Sequence, residues 1–300
     1  MMKLLKTTIM PRSNFATPLK GDTLFGQLCW AVVFAFGEDR LKKLLATYKQ
    51  KPFLVVSDAF QKGFLPKPTL PLSCFNECDP NGEVDKKEER KKKWIALNDL
   101  QNGALHKAEN PEKFESEKPH SIMHNSIDRR TFKTGEDGFA PYATTEFLPS
   151  EKEIYCLIDS DQLNANELNA VFASFRDSGF GKDATIGKGR FEFSQFQETS
   201  FGGYKNAVMA LSPFSPQHID CKKIYYDPFT RFGKKGASRA HQNPFKKPLL
   251  LADTGAVICF DQPYEKPFIG RAITGHSSHN DIVHQAYAIA LPITLPKGIA

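Results

Sequence analysis

Ser178-Gly179-Phe180-Gly181-Lys182-Asp183-Ala184-Thr185-Ile186-Gly187-Lys188-Gly189-Arg190-Phe191-Glu192-Phe193 is the stretch that orders the rest of this 300-residue chain. A helical apolar period precedes it over 164–177, and a strand-like alternation follows over 189–197. Strand 153–159 lies just upstream, so the segment reads as the second half of a strand–helix–strand unit. Glycine admits positive φ and close backbone approach, and the cations beside these glycines favour a phosphate. A nucleotide-binding loop runs from strand into helix, and here the order is reversed. Something phosphorylated is therefore the expected ligand, and not a mononucleotide.

Upstream, residues 3–10 predict a first strand and Gly21-Asp22-Thr23 a helix start, with Asp22 as N-cap. Leu24, Phe25, Leu28, Ala31, Val32 and Ala35 recur at helical spacing, making this helix apolar around much of its surface. A second helical piece covers 38–49 and a short strand 53–57, and Phe64-Leu65-Pro66-Lys67-Pro68 breaks the pattern. Two successive strand–helix–strand units predict a ferredoxin-like βαββαβ arrangement, whose sheet face also serves RNA-recognition motifs. Beyond Gly202-Gly203, strands are expected near 205–211, 222–227, 249–252, 256–260 and 286–291. A basic Gly/Lys loop, Phe232 to Lys247, separates two of them.

Residues 76–118 are polar, with a charge run from Asp85 to Lys93, and read as a solvated helix or partly disordered insertion. From His120 to Phe147 no period holds, but aromatic, basic and glycine residues interleave. Within it, His124, Asn125, Asp128, Arg129, Arg130, Thr131 and Lys133 form a loop suited to gripping a nucleic-acid backbone. Composition agrees: lysine and arginine exceed aspartate and glutamate by six, a mild bias toward polyanions. Most of the 25 phenylalanines are expected in the core, with a minority left for base stacking.

Other chemistries are thinly represented. Six scattered cysteines point to reduced, buried thiols in a cytoplasmic protein. No apolar run is long enough to span a bilayer, and Met1 to Met10 is not a signal peptide. Cys74, Cys78, His120 and His124 have zinc-ligand chemistry, but 41 residues separate the two pairs, so no metal and no cofactor is expected. His276, His279 and His284 sit among turn and cap residues. No Walker loop, G-x-S-x-G or H-E-x-x-H occurs. A metal-independent ribonuclease would need a histidine near a lysine or tyrosine; His124 with Lys133 or Tyr142 has those residue types, and eight histidines in 300 residues make such pairs common.

The ordered set of Lys20 to Gly26, His124 to Gly135 and Gly179 to Arg190 resembles RAMP-superfamily CRISPR proteins. The likeness is greatest to the subunit family of the type III-A (Csm) effector complex that holds the 5′ handle of the CRISPR RNA. It covers residues 1–200, and Gly181-Lys182 stands where the family doubles the glycine. The resemblance implies an α+β protein of two ferredoxin-like (RRM-like, RAMP) domains. The first would span 1–200 with an inserted hairpin/loop region at 76–147, a protruding 127–147 hairpin being placed to wedge between bases; the second, 201–300, would be degenerate and β-rich. It further implies a non-catalytic subunit of the ribonucleoprotein used in antiviral defence, between the large polymerase-like signalling subunit and the backbone RAMP subunits. RNA-binding positions carried over are His124, Asn125, Arg129, Arg130, Thr131 and Lys133, with Gly179, Gly181, Lys182, Gly187, Lys188, Gly189 and Arg190. The alternative is a CRISPR-repeat endoribonuclease of the same superfamily. Its glycine-rich loop lies near the C-terminus, whereas here over a hundred residues follow.

Overall fold

A computed structural model describes residues 1–75, 86–110, 114, 119–135, 138–236, 244–278, 281–296 and 299. The chain opens with β1 (Met2–Pro11), α1 (Gly21–Phe36), α2 (Glu38–Ala46), β2 (Leu54–Val56), β3 (Phe60–Gln61) and β4 (Phe64–Pro66). Short elements α3 (Lys86–Lys91), β5 (Trp94–Ala96) and α4 (Leu97–Gln101) lead to the hairpin β6 (His120–His124) and β7 (Tyr142–Glu146). Then follow β8 (Lys152–Asp159), α5 (Ala165–Ser178), β9 (Phe191–Phe193) and β10 (Gln197–Glu198).

The first sheet runs β10-β1-β8-β2, with β9 also on β1 and β3 on β8, and every pairing is antiparallel. Each strand–helix–strand half is thus split by a strand of the other, the interleaving of a βαββαβ sheet. In β1, alternation turns Leu5, Thr7 and Ile9 inward. Central β8 is buried along its whole length, because both its faces are covered. Helix α5 begins with a capping box: Glu167 N–H donates to Asn164 Oδ1, and Asn164 N–H to Glu167 Oε2. Its Leu168, Val171, Phe172 and Phe175 form the buried stripe.

The second half comprises β11 (Ala207–Ala210), β12 (Lys223–Tyr225), β13 (Pro228–Arg231), β14 (Leu249–Ala252), β15 (Val257–Cys259), β16 (Phe268–Ile273) and β17 (His284–Ile293). Five of these form an antiparallel sheet, β12-β15-β11-β17-β16, while β13 and β14 pair as a separate ribbon. No helix occurs among the described residues of 201–300. The all-round apolar character of α1 has a direct cause: it packs on α2, α5 and β2 of the first half and on β17 of the second. One face of the second sheet joins the first sheet in a single core, while Val208, Ile258 and Ile269 on its other face belong with Phe214 to a second, smaller cluster.

Polar groups fix this junction. Gln285 on β17 acts as a strand partner for the edge of the first sheet, its amide donating to Val56 O (2.8 Å) and accepting from Val56 N (2.9 Å). Gln285→Ala would bury two unpaired backbone groups and is expected to cost about 2–4 kcal/mol, read as a lower urea midpoint. Lys20 bridges Asp58 and Asp253 (3.1 and 2.6 Å), and Thr254 donates to Asp58. Gly21 is required here, since a Cβ would sit 2.4 Å from Val56 O.

Four local expectations are corrected. Asp22 does not cap α1 through its side chain: the buried carboxylate takes both nitrogens of Arg231 (2.6 and 2.7 Å), and Asp58 accepts from Gly21 N–H in its place. Phe64 to Pro66 continues as a strand paired with β5. Within the supposed polar insertion, Ile95, Leu100, Leu105 and Ala108 are core residues, while 76–85 lie outside the described residues. The hairpin expected over 127–147 is present but begins earlier, its strands being His120–His124 and Tyr142–Glu146, in a stretch without a period because it lies largely off the main sheets. No helix among the described residues is long and apolar enough to cross a membrane.

Candidate nucleic-acid interface

The glycine-rich loop is folded onto the segment Arg12 to Thr17. Gly179 at φ 73° ends α5, its N–H bonding back to Phe175 and Arg176 carbonyls. Phe180 is fully buried against Phe15 and Phe175. Phe180 N–H then donates to Gly189 O, Lys182 N–H to Thr17 Oγ1, Lys188 N–H to Asp183 O, Gly189 N–H to Asn14 O and Arg190 N–H to Ser13 Oγ. A Cβ at Gly189 would sit 2.1 Å from Phe180 O, so only glycine permits this crossing. The expected phosphate cradle of loop N–H groups is therefore corrected for these positions. Their donors are spent inside the fold; Gly181 and Gly189 permit close approach, while Gly187, at φ 95° beside open space, supplies a left-handed turn.

The loop's cations divide likewise. Lys182 is exposed. Arg190 places Nη1 2.7 Å from Asp177 O, and Lys188 Nζ lies 2.6 Å from Oε2 of the buried Glu146. The Lys188 bond holds the Glu146 carboxyl below its ordinary value, against the opposing effect of burial. Asn14 also donates to Glu146 (3.2 Å) and lies 3.3 Å from His120 Nε2. Phe15 and Phe147 exchange two backbone hydrogen bonds (2.8 and 3.0 Å). The loop and the hairpin, 40 residues apart in sequence from Glu146 to Ile186, thus meet at one seam, and Glu146, Asn14 and Phe15 are its missed members. A carboxylate at the foot of a basic hairpin gave no periodic signal.

Above the seam the hairpin carries the predicted residues. Asp128 closes a tight turn, accepting from Arg130 N–H (2.9 Å) and Thr131 Oγ1 (3.2 Å), while its own N–H donates to Lys133 O. Asn125, Arg129, Arg130, Thr131 and Lys133 are all exposed. Phe132 is 84% exposed at φ 55°, a left-handed conformation uncommon for a bulky residue. His124 stacks on the exposed Tyr142 (5.3 Å) and shares a 2.7 Å hydrogen bond with Thr144. The surface therefore offers cations to phosphates and rings to bases. His124 is engaged by Thr144, and Lys188 by Glu146.

The remaining candidates fall elsewhere. Cys74 is buried, Cys78 and His279 lie outside the described residues, and no cluster of three or more potential metal ligands occurs among the described ones. His276 and His284 are buried side by side, and residues 275–278, His276 among them, form a bend. Cys29, Cys74, Cys156, Cys221 and Cys259 are free thiols.

Neither a protein-family model nor a curated protein matches the sequence. Solved structures do. A chain from a Csm1–Csm4 cassette in complex with AMPPNP superimposes with a TM-score of 0.63 at 15% identity, covering 99% of this chain and 100% of that one. A chain from the Csm3–Csm4 subcomplex of a type III-A CRISPR-Cas interference complex gives 0.60 at 16%, covering 97% and 99%. Csm4 is the component these assemblies share. The fold is Csm4-like. At such identity the likeness is one of fold, and it extends over the Csm4-like chain from end to end, including the β-rich second half.

Proposed function

We propose that this chain is a non-catalytic RNA-binding subunit of a type III-A CRISPR-Cas effector complex, working in the cytoplasm. It grips the 5′ handle of the CRISPR RNA and bridges the large signalling subunit and the backbone RAMP subunits. In this reading the chain is two ferredoxin-like units, 1–200 with the insertion 76–147, and a reduced β-rich 201–300. The observation that carries it is the hairpin presenting Arg129, Arg130, Lys133, Phe132 and Tyr142, seated on the glycine-rich loop through Lys188 and Glu146. Assemblies containing Csm1 and Csm3 in the similar structures support the choice of partners.

The grip divides by chemistry. Exposed guanidinium and ammonium groups neutralise phosphates, and rings held clear of the core stack on unpaired bases, at about 1–3 kcal/mol each. Of the combinations that could move a 2′-hydroxyl proton, His124 with Lys133 or Tyr142, His124 is hydrogen-bonded to Thr144 and stacked on Tyr142, while Lys133 is exposed. The test is incubation of the purified chain with repeat-derived RNA in EDTA. Saturable binding with the RNA recovered intact is expected; site-specific cleavage would overturn the reading in favour of a repeat endoribonuclease.

A further inference from the structure

A second basic hairpin stands apart from the first. Between Pro228 and Ala252 the sequence has six cations and no carboxylate, as many as the charge excess of the whole chain. β13 and β14 are its stem, and the ladder is prolonged by the Lys234–Phe245 bridge. Strand alternation puts Phe232, Lys234, Phe245 and Lys247 on one face, and all four are exposed, Phe232 and Phe245 by 73% and 63%. Lys234 Nζ stands 5.1 Å from the centre of the Phe245 ring.

The other face is turned inward. Lys235 is buried with Nζ 3.0 Å from Ser278 Oγ, and the hairpin is bolted to the N-terminus of α1 by Arg231 on Asp22. Behind the exposed face lie the Lys235 and Lys246 ammonium groups, and the nearby Arg231 guanidinium is paired with Asp22. Burial first, and then Lys246, pushes His276 down to about 4, so it is neutral at pH 7 and the lysines alone would attract an anion.

The geometry points to a second single-stranded RNA contact on the Phe232–Lys234–Phe245–Lys247 face. Alternating rings and ammonium groups at ladder spacing supply base stacking and phosphate neutralisation together, the combination already seen on the first hairpin. Both hairpins hang from one stretch of chain: Phe15 anchors the first and Asp22 the second, and those seven residues span at most about 25 Å. In this proposal one RNA strand runs from one hairpin to the other.

This inference rests on the RNA-binding reading above, and one titration series separates them. The full chain is titrated against fluorescent single-stranded handle RNA extended on its 3′ side, across a range of salt. The double variant K234Q/K247Q is expected to lower the salt slope by about 1.4, and F245A to weaken binding about tenfold with the slope unchanged. Unchanged binding in both, with R129Q/R130Q still weakened, would overturn the second contact and leave the first. No RNA binding by the parent chain would overturn both. If the variants keep RNA but lose a co-purifying subunit, the face belongs to a protein and the inference fails.

Discussion

Replacing Arg129, Arg130 and Lys133 together with glutamine is expected to weaken handle-RNA binding roughly tenfold to a hundredfold and to reduce the salt slope by about 2. The three side chains are exposed, and the turn that carries them is closed by Asp128 through bonds to Arg130 N–H, Thr131 Oγ1 and the Lys133 carbonyl. Those bonds come from backbone groups and Thr131, and of the three charged heads Arg130 alone touches Asp128, at a loose 3.6 Å, so the hairpin keeps its shape while losing its charge. Filter binding or anisotropy at several salt concentrations reads the slope directly. Phe132→Ala and Tyr142→Ala give the complementary signature, each losing about 1–3 kcal/mol with no change in slope. A triple variant with the parental slope would remove these cations from the phosphate path.

Lys188→Ala is expected to act on the fold before it acts on RNA. Read from sequence, Lys188 neutralises a phosphate; in the structure its ammonium is the partner of a buried carboxylate. Removing it strands Glu146 among buried groups, which costs about 3–5 kcal/mol. Thermal or urea unfolding measures the loss, and Glu146→Gln in the Lys188→Ala background should recover most of it. The pH dependence has a definite sign. Glu146 is held below its ordinary value of 4.5, so its contribution is present at neutral pH. It is lost as acid carries the pH down through the depressed folded-state value. Lys188→Ala should therefore flatten the acid limb of the stability curve. A variant as stable as the parent would mean that the seam is not held by this pair.

Strongly periodic elements were legible. The strand over 3–10 and the amphipathic helix over 164–177 each rest on a pattern acting over a few residues, so their positions follow from local chemistry. Helix α1 was legible as apolar all round, but what surrounds it was not, because its cover comes from β17, some 250 residues later. The same distance hid Asp22. A carboxylate after a glycine reads as a cap, and only Arg231 from the second half turns it into half of a buried ion pair.

Candidate-site residues divided in the same manner. Arg129, Arg130 and Lys133 are exposed as their loop-like composition implied, since nothing in the core competes for them. The glycine-rich loop was correctly located but misread in one respect. Glycine signals close approach without saying to what, and at Gly189 the approaching group is the Phe180 carbonyl rather than a ligand. Glu146 and Asn14 were invisible because each matters only through a partner across the seam.

Photocrosslinking of handle RNA to the purified chain, with the adducts mapped by mass spectrometry, tests the central claim most directly. Adducts at Phe132 and Tyr142 are expected, because these rings lie on the exposed hairpin above the Lys188–Glu146 seam. Reproducible adducts confined to other surfaces, with both rings unmodified, would contradict the account.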